Sequence, residues 1–482
     1  MSRQCLPLVV GASLLVSLFT ACDQGTGPSP SGINIRRATL RDTIGAIHPF
    51  DVVVKDQASL AARFVEVRLA MVQAYPRVYV MRIGDSIPTF TVVDTTDFTG
   101  ALSLRTQHGF TVGQGQLAIT VPSLGYVDTI SFTVDHGNPI AVRVAPADTA
   151  LYASRQFALR PYGTDRLSNV IADMPFEFAV VDGPVTVNAA GAVSTTSIGR
   201  GAVAVRSGDF RDTAYVSVVP EAWVATQKFY AGNGGPEGIF LMQLDGSGRD
   251  SLTRGLNNSF IPHGFGWSPD GQQLVLPREK TLYLLHPGGL ETPLVSMPVE
   301  INTAARFSRD GQWVYFALGA GRGFYRVRSD GTGLEHIRGD SANWGDDYFV
   351  QPSHDGLSVA YTSTREFCFS DPCIRVMDLA TKRDRVYGNQ DYLVRGSMAA
   401  WSPVEDLIAY NVGREVRLVK SDGALDRLLA ADAGQVKWMD WSPDGHWLIV
   451  AADFGVALFD IRTQLRLPIA QLTSYSATIW RP

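Results

Sequence analysis

Cys368 and Cys373 enclose Phe369-Ser370-Asp371-Pro372, and no histidine stands near them in sequence. Such a pair reads as a loop disulfide in an oxidising compartment rather than as half of a zinc site. On the loop-entropy account it would contribute about 2 kcal/mol and chiefly stiffen its own loop. His263, His286, His336, His354 and His446 are scattered. Metal catalysis would need three of them to converge, and only His263, four residues before Trp267, stands where a strand would begin. Aspartates before glycine, among them Asp245, Asp270, Asp310 and Asp444, read as turn residues whose carboxylates bond to nearby backbone. The stretch Asp245 to Asp250 lacks the bidentate glutamate of a calcium loop. Gly-x-Ser-x-Gly, phosphate-loop, His-Glu-x-x-His and Cys-x-x-Cys patterns are missing, so no catalytic residue, metal or cofactor is assigned. Arg338-Gly339-Asp340 spells an adhesion tripeptide and Asp453-Phe454-Gly455 a kinase motif; both are read as chance, the second as a hairpin.

Binding chemistry is better represented. Trp344, Asp346, Asp347 and Tyr348 fall together, and His263, Asn302 and Lys437 each stand at the start of a repeated strand. Asn257, Asn258, Tyr392, Trp438 and Tyr475 add rings and amides nearby. Flat rings beside amides and carboxylates suit sugars or extended peptides; the same rings could instead plug the seams between packed sheets.

The elements that position these residues come from a chain of 482 residues, 45% apolar and 18% charged, long enough for about three domains. Its 42 basic and 47 acidic side chains leave a net charge of −5, and no basic stripe offers phosphate contacts, which argues against a nucleic-acid partner. At the N-terminus, Arg3 precedes an apolar run from Leu6 to Phe19, too short to span a bilayer but suited to a signal peptide. The following Phe19-Thr20-Ala21-Cys22 resembles a bacterial lipobox, with Phe19 where that pattern usually has leucine. The resemblance implies cleavage after residue 21 and lipid on Cys22. Residues 22–32, rich in Gly, Pro and Ser, would form a flexible tether. The chain is thus expected in a bacterial cell envelope, lipid-anchored, periplasmic or at the surface, with the choice of membrane open.

Residues 33–138 show short β-branched strands between turns, which implies a β-sandwich. Val52-Val53-Val54-Lys55-Asp56 and Asp94 to Ala101 resemble invasin-type bacterial Ig-like modules. Residues 139–220 resemble the group 2 bacterial Ig-like module, through Val142-Arg143-Val144-Ala145-Pro146, Gly191-Ala192-Val193-Ser194 and Gly199 to Val205. Such modules usually space or present another domain.

Residues 221–482 carry a repeat of about 40 residues, the period of a propeller blade. Trp267-Ser268-Pro269-Asp270-Gly271 returns at Phe307, Pro352, Trp401 and Trp441, and Trp480-Arg481-Pro482 is a partial copy. A second strand recurs at Ile239, Leu282, Phe324, Ile374, Val416 and Val456, giving six copies and hence six blades. These motifs resemble the TolB-like propeller family, without the α/β domain that precedes the propeller there. The opening blade lacks the Trp-Ser-Pro strand that the chain's end supplies. Ser476 to Trp480 should therefore pair beside Lys228 to Ala231 and close the ring like Velcro. Serine-to-serine spacings of 40, 45, 49 and 40 place the extra residues in Arg338 to Tyr348 and Glu366 to Cys373. One is a crossing between blades and the other a second turn of the next blade, so both project from one face.

The sequence therefore describes an all-β protein: two Ig-like sandwiches, then a six-bladed propeller. The function expected is non-catalytic binding of a protein, peptide or glycan at the inserted loops. The alternatives are a propeller enzyme, such as a polysaccharide lyase or peptidase-like hydrolase, and a purely structural envelope protein.

Overall fold

The computed structural model describes residues 32–72, 78–229, 236–253, 264–286, 288–301, 303–319, 321–338, 346–365, 368, 372–384, 394–453, 455–472 and 475–482. Cys22, Trp344, His263 and Asn302 lie outside them. The chain divides into two compact units, one of residues 1–142 and 162–174, the other of 143–161 and 175–482.

In the first unit, alternation of apolar and polar residues builds two sheets around one core. One runs Ile33–Arg37, Ile47–Val54, Ala101–His108, Val78–Arg82; the other runs Arg41–Thr43, Tyr126–Asp135, Gly113–Val121, Glu66–Met71, Thr91–Thr95. Phe50 and Phe132 meet across the core at 6.2 Å, among Val52, Leu69, Leu104 and Ile119. The sequence pattern places strands at 51–54, 65–69, 77–82, 89–93, 117–121 and 129–134; Ile33–Arg37, Arg41–Thr43 and Ala101–His108 are additional to these. Residues 162–174 add a short hairpin pairing Gly163 with Ile171, where Asp165 accepts hydrogen bonds from the backbone of Gly137, Leu167 and Asn169.

The second unit opens with a sheet ordered Asp148–Leu151, Phe210–Val218, Gly199–Ser207, Glu177–Asp182, and a smaller one of Gln156–Ala158, Ala192–Thr195 and Val185–Val187. These two sheets are docked on the repeat region rather than held away from it. Ala150, Tyr152 and Val219 share a core with Val224, Met242 and Leu472, and the Gln471 amide bonds Ala150 N and O at 3.2 and 3.0 Å and Thr149 Oγ1 at 3.0 Å.

The described residues of 221–482 form six antiparallel sheets, each met in chain order. The fourth comprises Asp347–Pro352, Ser358–Ser363, Cys373–Asp378 and Arg383–Asp384, with Val394–Arg395 also paired to the third strand. The first sheet takes its fourth strand from the end of the chain. Tyr475–Trp480 pairs antiparallel with Trp223–Phe229, matching Trp480 to Val224 and Tyr475 to Lys228, so the register lies earlier along the partner than the Lys228 to Ala231 expected. Thr226 and Thr478 share a buried hydrogen bond of 2.9 Å across this pairing.

The repeated turns have a common construction. Ser268, Ser308, Ser353 and Ser442 donate through Oγ to Asp270, Asp310, Asp355 and Asp444 at 2.5 to 2.6 Å. The following glycines, 271, 311, 356 and 445, sit at φ +66 to +72°, a conformation that penalises any Cβ. The copy with Val404-Glu405 lacks the carboxylate and closes through Ser402 N to Leu407 O at 2.8 Å, with Ser402 Oγ accepting the Val404 N–H at 3.4 Å. The aspartates are therefore spent on turn geometry, and Asp453 and Gly455 flank a hairpin in which Ala452 pairs with Gly455.

Candidate functional site

The described ends of each insertion are fastened. Arg338 and Asp347, at the two ends of the first, form an ion pair at 3.2 Å. Arg365 lies 3.1 Å from the same carboxylate, and Ser363 donates to it at 2.7 Å. Behind them Arg338 and Arg375 meet Asp384 at 3.0 and 2.8 Å, and the Tyr361 hydroxyl donates to Asp384 at 2.6 Å. Arg365, Arg375 and Asp347 are buried. Charges taken out of water persist only with such mutual pairing, so the cluster ties the four strands of the fourth sheet to the crossing from the third. Burial pushes the Asp347 carboxyl up and the two guanidiniums pull it down, burial prevailing. The second loop is fastened by the disulfide between Cys368 and Cys373, whose Cα atoms are 5.6 Å apart, and by Ser363 pairing with Cys373.

Beside these bases lies a cavity of about 290 Å³, lined by Thr303, Tyr348, Phe349, Thr362, Thr364, Pro372 and Ser397. Its shape depends on an irregularity in Asp347–Pro352. Pairing slips between Tyr348 and Gln351, and Phe349 is held at φ +50°, a region that bulky side chains avoid. Such a bulge redirects side chains, and strained backbone of this kind gathers where a surface is built for a task. Tyr348 and Phe349, adjacent in sequence, thereby both line the cavity. The Tyr348 hydroxyl donates to Asp346 at 2.8 Å, while Asp346 also accepts from Gly321 N at 2.6 Å. Burial first, then this carboxylate, pushes the phenol up to about 12, so it stays protonated. Phe349 meets Trp438 edge-on at 6.2 Å. Trp438 is buried against Gly264, where a Cβ would come within 2.2 Å of its ring, so this tryptophan seals a seam and is not an open platform. Thr362 Oγ1 is buried and has no hydrogen-bond partner among the described residues. A buried orphan hydroxyl is costly, and a ligand polar atom would satisfy it.

Of the residues singled out in sequence, Tyr348 lines the cavity and Asp346 positions it. Asp347 does not face a ligand: its side chain is wholly buried in the charged cluster, because three neighbouring arginines require a counter-charge. Arg338 is drawn into that cluster as well, which removes its side chain from the adhesion tripeptide. Lys437 is exposed and is not among the lining residues. Phe349, Thr362, Thr364, Thr303, Pro372 and Ser397 were missed. The one available signal was the charge at Arg375, inside a strand between Ile374 and Val376.

A second cavity, about 150 Å³, lies at the repeated serine-proline turns. Equivalent positions of all six sheets line it: Trp480, Trp267, Phe307, Pro352, Trp401 and Trp441. Arg306 and Asp440 stand within it, 3.9 Å apart. Among the described residues, no three His, Cys, Asp or Glu side chains converge as metal ligands.

No protein-family model matches the sequence. It is similar to the uncharacterized protein Atu1656 of Agrobacterium fabrum, 30% identical over 191 residues, covering 36% of this chain and 62% of that one. The chain thus spans less than two thirds of this relative's length. Similar solved structures include TolB from Acinetobacter baumannii, with 14% identity, a TM-score of 0.44 and coverage of 64% of this chain and 83% of that one. A chain of the nidogen/laminin complex has 9% identity and a TM-score of 0.44, covering 55% and 99%. A protein assigned as TolB from Agrobacterium tumefaciens has 16% identity and a TM-score of 0.36, covering 55% and 100%.

Proposed function

We propose that this chain is an exported, lipid-anchored envelope protein whose six repeated sheets form a six-bladed, TolB-like propeller closed by its C-terminal strand. Residues 1–21 serve as signal peptide, Cys22 carries the lipid, 22–32 are a tether, and 33–138 and 139–220 are Ig-like modules. The lining of one axial cavity by all six sheets supports the ring. The pairing of Tyr475–Trp480 with Trp223–Phe229 supports its closure.

The propeller binds a protein, peptide or glycan partner and does not transform it. The observation that carries this reading is the cavity at Tyr348 and Phe349, two rings aimed by a strained bulge beside the unpartnered Thr362 hydroxyl. Its lining of rings and hydroxyls offers stacking and one hydrogen bond, with the charged residues buried behind it in mutual pairs. About 290 Å³ admits one large side chain or one sugar ring presented by the partner.

Capture from envelope extract by the immobilised full chain tests this. Tyr348→Ala should weaken capture by about 30-fold, as expected for a buried aromatic anchor worth roughly 2 kcal/mol, with the melting temperature nearly unchanged. Asp310→Ala, in a turn of the opposite face, should leave capture intact. Full capture by the first variant and loss in the second would put the site at the other end of the ring.

A further inference from the structure

The axial cavity carries chemistry that a propeller core does not require. Arg306 is buried, with Trp438 over its guanidinium at 4.7 Å. Its Nη1 donates to the Phe265 carbonyl, but Nε and Nη2 have no hydrogen-bond partner among the described residues. Those two atoms form the side-on edge of the guanidinium, the pair of parallel donors that matches the two oxygens of a carboxylate. Asp440 does not fill this role. Its Oδ1 stays 3.9 Å from Nη2, and its Oδ2 accepts the Trp480 backbone N–H at 3.0 Å. The indole nitrogens of Trp267, Trp401 and Trp480, which line the same cavity, are buried donors likewise without partners, whereas Trp441 donates to the Ala400 carbonyl at 2.9 Å. A buried cation with two idle donors, in a cavity whose lining also includes three tryptophans with idle indole N–H groups, is a site short of an acceptor.

The charged or titratable groups among the cavity's lining residues are Arg306 and Arg309 on the third sheet, His354 in a turn of the fourth, and Asp440 on the sixth. The lining residues of the first, second and fifth sheets are tryptophan, proline, serine and isoleucine, with no side chain that titrates. An anion entering beside ionised Asp440 meets a like charge at close range, which neutralising that carboxyl removes. Burial already pushes Asp440 up to about 6, against the pull of Arg306, so its proton is within reach of mild acidity. The volume, about 150 Å³, accommodates a small group rather than a folded element.

We propose that the axial cavity is a binding site for a monocarboxylate, held by the Nε and Nη2 edge of Arg306 and taken up together with one proton on Asp440. The carboxylate can belong to a small free acid or to the C-terminus of a peptide; the chemistry at Arg306 is the same.

Calorimetric titration of the full chain with formate, with a short peptide ending in a free carboxylate and with its C-terminal amide, at pH 5.5 and pH 8, tests the site. Saturable one-site binding of formate or the free-acid peptide is expected, at least tenfold tighter at pH 5.5. Proton uptake, read from two buffers of different ionisation enthalpy, should approach one per site at pH 8. Binding by the peptide and not its amide assigns the terminus of a chain, and binding by formate alone a free acid. Arg306→Lys, which keeps the charge and loses the edge, should weaken binding tenfold or more. Asp440→Asn should bind equally at both pH values, and His354→Asn should retain the wild-type pH dependence. No saturable binding to the wild-type chain means that water alone fills the cavity and overturns the proposal, whatever the variants do. Binding unaffected by Arg306→Lys, or a pH dependence that disappears with His354→Asn, overturns it equally.

Discussion

His108 lies wholly inside the first unit, edge-on to Phe132 at 5.9 Å and to His48 at 5.6 Å, with neither ring nitrogen hydrogen-bonded among the described residues. Burial first, then His48, holds its pKa below the usual histidine range. Because an unfolded histidine takes up a proton near pH 6.5, acidification through that value protonates the unfolded chain before the native one. Its stabilising share is therefore complete above about pH 6.5 and lost as the pH falls. The melting transition of the first unit, followed by scanning calorimetry, should drop between pH 7.5 and 5.5, and the drop should shrink in His108→Phe. Asp347 presents the opposite case, a buried charge retained by its partners. Asp347→Asn leaves Arg338 and Arg365 beside a neutral amide and should cost about 3–5 kcal/mol in chemical denaturation. A loss under about 1 kcal/mol would mean that water reaches the cluster. In sequence Asp347 looked like a surface recognition residue; its burial depends on arginines from separate segments of the chain, 338, 365 and 375, a juxtaposition that local pattern does not encode.

At the scale of the element, the repeated turn was the most legible feature, because serine, aspartate and glycine at fixed spacing each perform a local bond or dihedral. The disulfide was legible for a similar reason, since five positions of separation confine the two sulfurs to one loop. Replacing Cys368 and Cys373 together by serine should cost about 2 kcal/mol and expose the loop around residues 366–371 to limited proteolysis. Unchanged protease resistance would show that the disulfide is not what protects this segment. The bulge at Phe349 left no trace in sequence: an aromatic residue is an unfavourable choice for positive φ, and only the surrounding strands hold it there. Two of the three additional strands of the first unit were obscured because polar residues alternate along them, Asn34 and Arg36 in one, Ser103 and Arg105 in the other.

At the scale of the whole molecule, the last strand clasps both of its neighbours. The Trp480 N–H donates to Asp440 of the sixth sheet at 3.0 Å, and Arg481 Nε donates to the Gly271 carbonyl of the second at 3.1 Å. Deleting residues 475–482 should leave Trp223–Phe229 as an open apolar edge, so the truncated chain should aggregate or lose its cooperative transition. An unchanged midpoint would show that the strand contributes little. The sequence by itself determined the all-β class, the sixfold repeat, the tight turns, the disulfide and which terminal strand completes which sheet, because each follows from residue types a few positions apart or from one strand missing at one end and surplus at the other. Tertiary structure alone decided that the sheets within residues 148–218 rest on the repeat through Gln471, that the described ends of the two insertions share a buried charged base, and that Arg306 lies 3.9 Å from Asp440 without a hydrogen bond to it. These depend on side chains that separate strands bring together, and what governs them is the cost of leaving a charge or a polar group unpaired inside the fold.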